Sequence, residues 1–393
     1  MKEPVVHVPA SPAVPPTPSA APSAVPPTAF PADAIGRVVD AARNDLSGAE
    51  ERRRLGPEAV GAVVAAGFPR HFVPRGFGGT AGTFAELLGA SAGIARTCPS
   101  TAWCATLFAA HGRLAAHLPE EGRKELWGAS PDVLISTSIM PPQGEAVRDG
   151  AGWRIRGRWD TASGVDHADW LLLASRTGSA ERPEHRIFAV PRSDWTVLDT
   201  WRSLGMRGTG SNAVEVAGAF VPDRLSCTLA DLQRPPGPDA ARCHRVPVHL
   251  AGALMFAAPV LGAAEGALDA WHSAVTPRLP VLSPARRAEA ELALGEGSAR
   301  IAAARLLLER VAERADLAEV TPLLVAENRR DAAMASAWCA EAVDRLFRAA
   351  GSQAQREDSP FQRYWRDVTT AASHGVLGPA AAAADYAAAV LGG

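Results

Sequence analysis

The period of the apolar positions changes twice along this chain. From residue 31 to 130 it is helical. Ile35, Val38, Val39 and Ala42 share one face, and Leu55, Val60, Val63 and Val64 suggest a second. A Gly/Pro turn at Pro74–Gly79 interrupts the pattern, and two buried helices are expected over Thr83–Arg96 and Ser100–His117. Between 131 and 235 the period falls to two. Short strands are expected near Val133–Ile139, Trp153–Trp159, Trp170–Ser175, His185–Val190 and Ala213–Val221, separated by Gly, Pro and Asp turns. From 236 to 393 the helical period returns in four long segments: Leu250–Ala274, Pro284–Arg314, Pro322–Ala350 and Phe361–Leu391. The expected architecture is mainly α with a central β-barrel: an N-terminal helical domain, the barrel, and a C-terminal four-helix bundle.

Residues 1–30, rich in Pro, Ala, Val and Ser, lack the apolar content to order themselves and read as a disordered tail. They also lack the basic start and apolar core of a signal peptide. A formal net charge of −2 gives no reason to expect a nucleic acid partner. No apolar run reads as long enough to span a bilayer, so a cytoplasmic protein without membrane contact is expected. The five cysteines are scattered with no CxxC pair, which suits reduced, buried thiols and argues against a metal site.

The most informative stretch is Trp153–Trp170. Trp153, Ile155, Gly157 and Trp159 alternate with three arginines as a half-buried strand, which breaks at Thr161-Ala-Ser163-Gly164. Trp159, Thr161 and Ser163 together could wall a flat aromatic ligand, the hydroxyls supplying hydrogen bonds and the glycine close backbone approach. An ordinary polar hairpin turn is the alternative. Gly208-Thr-Gly210 is followed by strand residues Val214–Val216 rather than a helix and lacks a third glycine, so a dinucleotide fingerprint is rejected.

That stretch resembles the flavin-contacting strand of the acyl-CoA dehydrogenase superfamily. The ending Ser163-Gly164 followed by Asp166-His167-Ala-Asp-Trp170 is most similar to its group D flavin monooxygenases, such as the p-hydroxyphenylacetate hydroxylase oxygenases. Supporting motifs are Pro74-x-x-Phe77-Gly-Gly79, Ser100-Thr-Ala-Trp103 with His111 after it, and Ser203–Asn212 leading into a strand that ends at Pro222. The resemblance covers roughly residues 34–390. It implies a non-covalent reduced FMN or FAD delivered by a separate flavin reductase, O2 as co-substrate, and a homotetramer in which a second subunit helps to hold the flavin.

The resemblance also implies roles for particular residues. The usual dehydrogenase base positions fall on Gly375 and Gly252, neither of which can take up a proton, although Glu265 lies further along the same helix. His374, Ser138 and His111 are the catalytic candidates. Ser136, Trp159, Thr161 and Ser163 are expected against the flavin, and Gly351-Ser352 resembles the small-residue turn that receives its phosphate. For His111 and His374 a structural role is the alternative, as turn satisfaction is for the serines. The implied function is hydroxylation of an aromatic or polyketide-like substrate through a C4a-hydroperoxyflavin. Alternatives are amino-sugar N-oxygenation, a divergent acyl-CoA dehydrogenase acting through Glu265, and a ligand-binding relative without catalysis.

Overall fold

The computed structural model describes residues 30–179 and 181–392. The expected tail lies outside these residues except for Phe30, which is buried and stacks on His71 with ring centres 4.5 Å apart. Six helices come first: α1 (Ala32–Asn44), α2 (Leu46–Arg52), α3 (Pro57–Ala65), α4 (Phe84–Ala95), α5 (Pro99–Ala115) and α6 (Glu120–Trp127). Local chemistry sets their starts. Thr83 and Glu86 form a reciprocal capping box at α4, and Pro99, which has no N–H to leave unpaired, opens α5.

Eight strands follow: β1 (Ile135–Ser138), β2 (Glu145–Asp149), β3 (Gly152–Ala162), β4 (Trp170–Gly178), β5 (Pro183–Pro191), β6 (Thr196–Leu198), β7 (Asn212–Pro222) and β8 (Ser226–Thr228). They form two four-stranded sheets, ordered β1-β4-β5-β8 and β2-β3-β7-β6. Only the β1–β4 pairing is parallel. The central β region is therefore a pair of sheets, with no closed barrel among the described residues. The sheets bury one shared core around Trp159, Phe188, Leu171 and Val214. The Trp159 indole N–H ties them together by donating to the Ala174 carbonyl at 2.8 Å.

The C-terminal helices are α7 (Arg242–Arg245), α8 (Val248–Val275), α9 (Pro284–Leu317), α10 (Pro322–Ala350), α11 (Pro360–Ala372) and α12 (Pro379–Leu391). The last expected helix is in fact two. Gly375, Gly378 and Pro379 break it, and a short 3-10 turn at Gly375–Leu377 carries His374 at its start. A second core joins α3, α4 and α5 to the bundle helices. At its centre runs α8. With the turn that follows it, α8 is long and apolar enough to cross a membrane, contrary to the reading from sequence. Yet 83% of its most apolar window is buried inside the protein, so here it is a core helix.

Helices α4 and α8 approach closely at Gly262. A Cβ there would fall inside the contact distance of the Ala92 carbonyl oxygen, and a backbone atom cannot swing aside. Gly262→Ala should therefore destabilise the protein by about 1–3 kcal/mol, read as a lower urea midpoint with an unchanged slope. An unchanged midpoint would show that the two helices do not meet as described.

Candidate active site

A cavity of about 290 Å³ opens between the sheets and the bundle. One wall is α5, which contributes Leu107, Ala110, His111, Arg113 and Leu114, and the opposite wall is the first half of α8, with Gly252, Met255 and Phe256. The end of β1, the kinked end of β3 and the turn at His374 complete it. None of the lining residues is Asp or Glu. Glu265 lies outside the lining, ion-paired with Arg305 at 2.6 Å. A carboxylate base for a dehydrogenase is thus absent from this cavity.

The polar groups on the sheet side have defined hydrogen-bond directions. His111 Nδ1–H donates to the Ile135 carbonyl at 2.7 Å, so its Nε2 accepts from the Thr137 hydroxyl at 3.0 Å. Burial holds its pKa down, to about 4, and the ring stays neutral. The Ser138 hydroxyl donates to the Asp160 carbonyl at 2.6 Å, leaving only lone pairs for a ligand. Ser163 belongs to a longer chain. Thr209 donates to the Met206 carbonyl at 2.8 Å, so in the 2.7 Å Thr209–Ser211 bond Ser211 must donate. Ser163 then donates to Ser211, also at 2.7 Å, and itself accepts from the Trp103 indole N–H at 3.1 Å. One hydrogen per hydroxyl sets the direction of the whole chain, so Ser163 also offers the cavity only an acceptor.

Between these serines the β3–β7 ladder is broken. Trp159 pairs with Val214 and Ala162 with Asn212, while the residues between them bulge out. Thr161 takes φ +60°, a left-handed conformation that a β-branched residue adopts only under compensation, and it lines the cavity.

His374 faces the serines from the bundle side. Its ring stacks on Phe256 with centres 4.0 Å apart and meets the edge of Trp103 at 5.8 Å. Nδ1 accepts from the Val376 N–H at 3.3 Å, so Nε2 carries the hydrogen. That Nε2–H has no partner among the described residues, and the residue lines the cavity. Burial pulls its pKa down to about 4. A neutral imidazole aimed this way is a hydrogen-bond donor at neutral pH, not a standing cation. The aromatic slot, the two acceptor hydroxyls and this donor fit a flat heteroaromatic ring such as a reduced flavin.

Four residues expected at the site lie elsewhere. Trp159 is fully buried in the core between the sheets, because its indole N–H is needed by a carbonyl of the facing sheet. Ser136 is not among the lining residues and donates to the Ser163 carbonyl at 2.7 Å, holding β1 to the end of β3. Gly351 and Ser352 follow the far end of α10. That is about 31 Å from Arg329, the α10 residue at the cavity, at about 1.5 Å per residue. They open a four-residue 3-10 turn rather than a long helix. The cavity also contains residues that sequence reasoning missed: Phe256, Thr137, His249, Arg113 and Arg329. Only Arg113 carried a signal, as the single charged residue between Pro99 and Leu118.

Comparisons with known proteins agree with this geometry. Residues 254–379 match the acyl-CoA dehydrogenase C-terminal domain. The chain is 30% identical over 344 residues to the flavin-dependent monooxygenase oxygenase subunit HsaA of Rhodococcus jostii, covering 84% of this chain and 90% of that one. It is 31% identical over 363 residues to the oxygenase component of an FADH2-dependent resorcinol hydroxylase from Rhizobium, covering 86% and 88%. The crystal structure of 3-HSA hydroxylase from Rhodococcus superposes with a TM-score of 0.86 at 28% identity, over 92% of this chain and 96% of that one.

The buried histidines make stability depend on pH. His71, His111, His117, His244 and His374 are each pulled to about 4 by burial, against an ordinary value near 6.5. Between these values the unfolded chain binds protons that the fold refuses. Their contribution is therefore complete above about pH 6.5 and is lost as pH falls toward about 4. Melting temperature should hold level from pH 8 to 7 and decline steadily from 6.5 downward. A flat profile from pH 7 to 4.5 would contradict the buried, neutral state of these rings.

Proposed function

The chain belongs to the oxygenase components of two-component flavin-dependent monooxygenases, and from that premise we propose that the cavity beside His374 hydroxylates an aromatic, phenol-type substrate. Reduced FMN or FAD, delivered by a separate reductase, supplies two electrons to O2; one oxygen atom enters the substrate and the other leaves as water. The observation that carries this reading is the polarity of a cavity without carboxylates. Two acceptor-only hydroxyls, Ser138 and Ser163, face one donor, the His374 Nε2–H. A reduced flavin carries an N–H at its central ring where the oxidised form carries a bare nitrogen. Acceptor-only serines therefore favour the reduced form, which is the form that must be captured from a reductase. His374 positions a donor toward the reacting oxygen, while Phe256 and Trp103 keep water out. His111, locked as the Nδ1–H tautomer, holds Thr137 and the end of β1 in place and presents its ring edge to the substrate.

The protein should bind reduced FMN more tightly than oxidised FMN in anaerobic titration. Ser163→Ala should narrow that difference. His374→Ala should keep reduced-flavin binding while lowering hydroxylated product by about 10²–10³-fold, the size of a lost oxyanion-type donor, with hydrogen peroxide rising in its place. Equal affinity for both redox states would remove the argument from serine polarity. Unchanged coupling in His374→Ala would make that residue structural.

We also infer a homotetramer. Helix α12 buries only Ala382, and Val390, Leu391, Leu306 and Leu292 stand more than half exposed. An apolar surface of this kind calls for cover by another copy. Gly351-Ser352, too remote for this chain's own cavity, would then serve a neighbour's flavin. Light scattering should return about four times the chain mass of 41.0 kDa; a stable monomer would refute both statements.

A further inference from the structure

The inner cavity holds a charge that the hydroxylation chemistry does not use. Arg113 is 3% exposed, yet no carboxylate pairs with it among the described residues. Its Nε–H donates to the Cys243 carbonyl at 2.6 Å and one Nη to the Val246 carbonyl, and its guanidinium carbon lies 5.6 Å from the centre of the Phe84 ring. The other Nη has no hydrogen-bond partner, and the residue lines the cavity. Burial lowers its pKa to about 10, so it stays charged at neutral pH. A guanidinium serving only to tie two carbonyls to α5 would have no use for an unpartnered N–H edge on a residue that lines a cavity. Burying such a charge is costly unless something arrives to pair with it.

The position of the charge is specific. His374 stands at one end of the cavity, with the Trp103 ring against it. Arg113 is ten residues beyond Trp103 on α5, about 15 Å along the helix. On the facing wall Phe256 stands by His374, while Val248 and His249 lie eight and seven residues back toward the Arg113 end. Arg329, also at the lining, is engaged by Asp385. No lining residue is acidic, so Arg113 is the one unpaired charge in this set.

We propose that Arg113 receives a carboxylate of the substrate at the end of the cavity remote from His374, an inference that rests on the monooxygenase reading of the same cavity. The substrate is then an elongated phenol, with its reacting ring at the His374 end and an acid group at the other. Arg113 sets which molecules enter and in which direction. It takes no part in the oxygen chemistry.

The test uses the full chain with a separate NADH-dependent FMN reductase and matched probes: 4-hydroxycinnamate and 5-(4-hydroxyphenyl)pentanoate, each beside its methyl ester. Equilibrium dialysis gives affinity, and product formation gives kcat/KM. The wild type should prefer the acid of at least one pair by tenfold or more. Arg113→Met should shrink the acid-to-ester ratio by about 10- to 100-fold, the range for a charge-assisted hydrogen bond. Arg113→Lys, which keeps the charge but loses the paired carbonyl contacts, should retain part of the preference. A structural role alone would lower the melting temperature of both variants and leave the ratio untouched. A wild type that binds acid and ester equally in both pairs overturns the proposal, even if neither variant folds. Failure to bind reduced FMN would instead strike at the monooxygenase reading itself. Esters hydroxylated as well as acids would leave that reading intact and remove only the role of Arg113.

Discussion

Complete burial of α5 is the constraint on which the rest of the structure depends. All 17 of its residues are inside the protein. A helix buried along its whole length leaves little water to its side chains, so most of the donors and acceptors on it need fixed partners. Trp103 finds Ser163, His111 finds the Ile135 carbonyl and Thr137, and Arg113 finds the carbonyls that lead into α8. Those partners belong to the turn after β3, to β1 and to the segment leading into the bundle. One helix thereby sets the relative placement of both sheets and the bundle, and the cavity is the space it leaves between them.

The same constraint decides what the cavity can do. Groups that must satisfy α5 have no hydrogen left to offer a ligand. Ser163 gives its proton to Ser211 because Ser211 has already given its own to Thr209, and Ser138 gives its own to Asp160. The sheet side becomes a row of acceptors. The donor comes from the other side, from His374, held by a turn that interrupts what would otherwise be one continuous helix. That interruption puts the ring against Phe256 and frees its Nε2–H.

Much of this was readable in the residues, and the parts that were not share a cause. Periodicity separates helical from strand segments because burial on one face imposes it, and Gly/Pro turns mark the joints. His374, Ser138, Ser163, Thr161 and His111 line one cavity. Trp159 did not follow, since a tryptophan in an alternating strand looks the same whether its face meets a ligand or a second sheet. Ser136 shares a strand face with Ser138, and only the hydroxyl's partner, the Ser163 carbonyl, separates it from the cavity. The split of the last helix rested on Gly375 and on Gly378-Pro379, a breaker pair outweighed on paper by the long alanine run after it. Short edge strands such as β6 and β8, three residues each, carry too little pattern to detect. Phe256 sits on an apolar helix where spacing says core, and a cavity wall is core with one neighbour missing.

The electrostatics of the cavity follow from composition as much as from placement. Every titratable histidine fixed against its walls by an intramolecular bond is held neutral by burial, and no carboxylate is present to draw a proton in. Neutral walls make the remaining charge count for more, because nothing nearby screens it and the medium is poorly polarisable. A guanidinium in such surroundings favours any anion that reaches it, and it does so most for one that cannot be replaced by a neutral isostere. The acceptor row across the cavity works in the opposite sense and disfavours negative charge at the flavin edge unless a proton stands between. The two ends of one small space thus prefer different chemistry, donor-bearing rings at one and an anionic group at the other. A ligand that satisfies both can lie in only one direction.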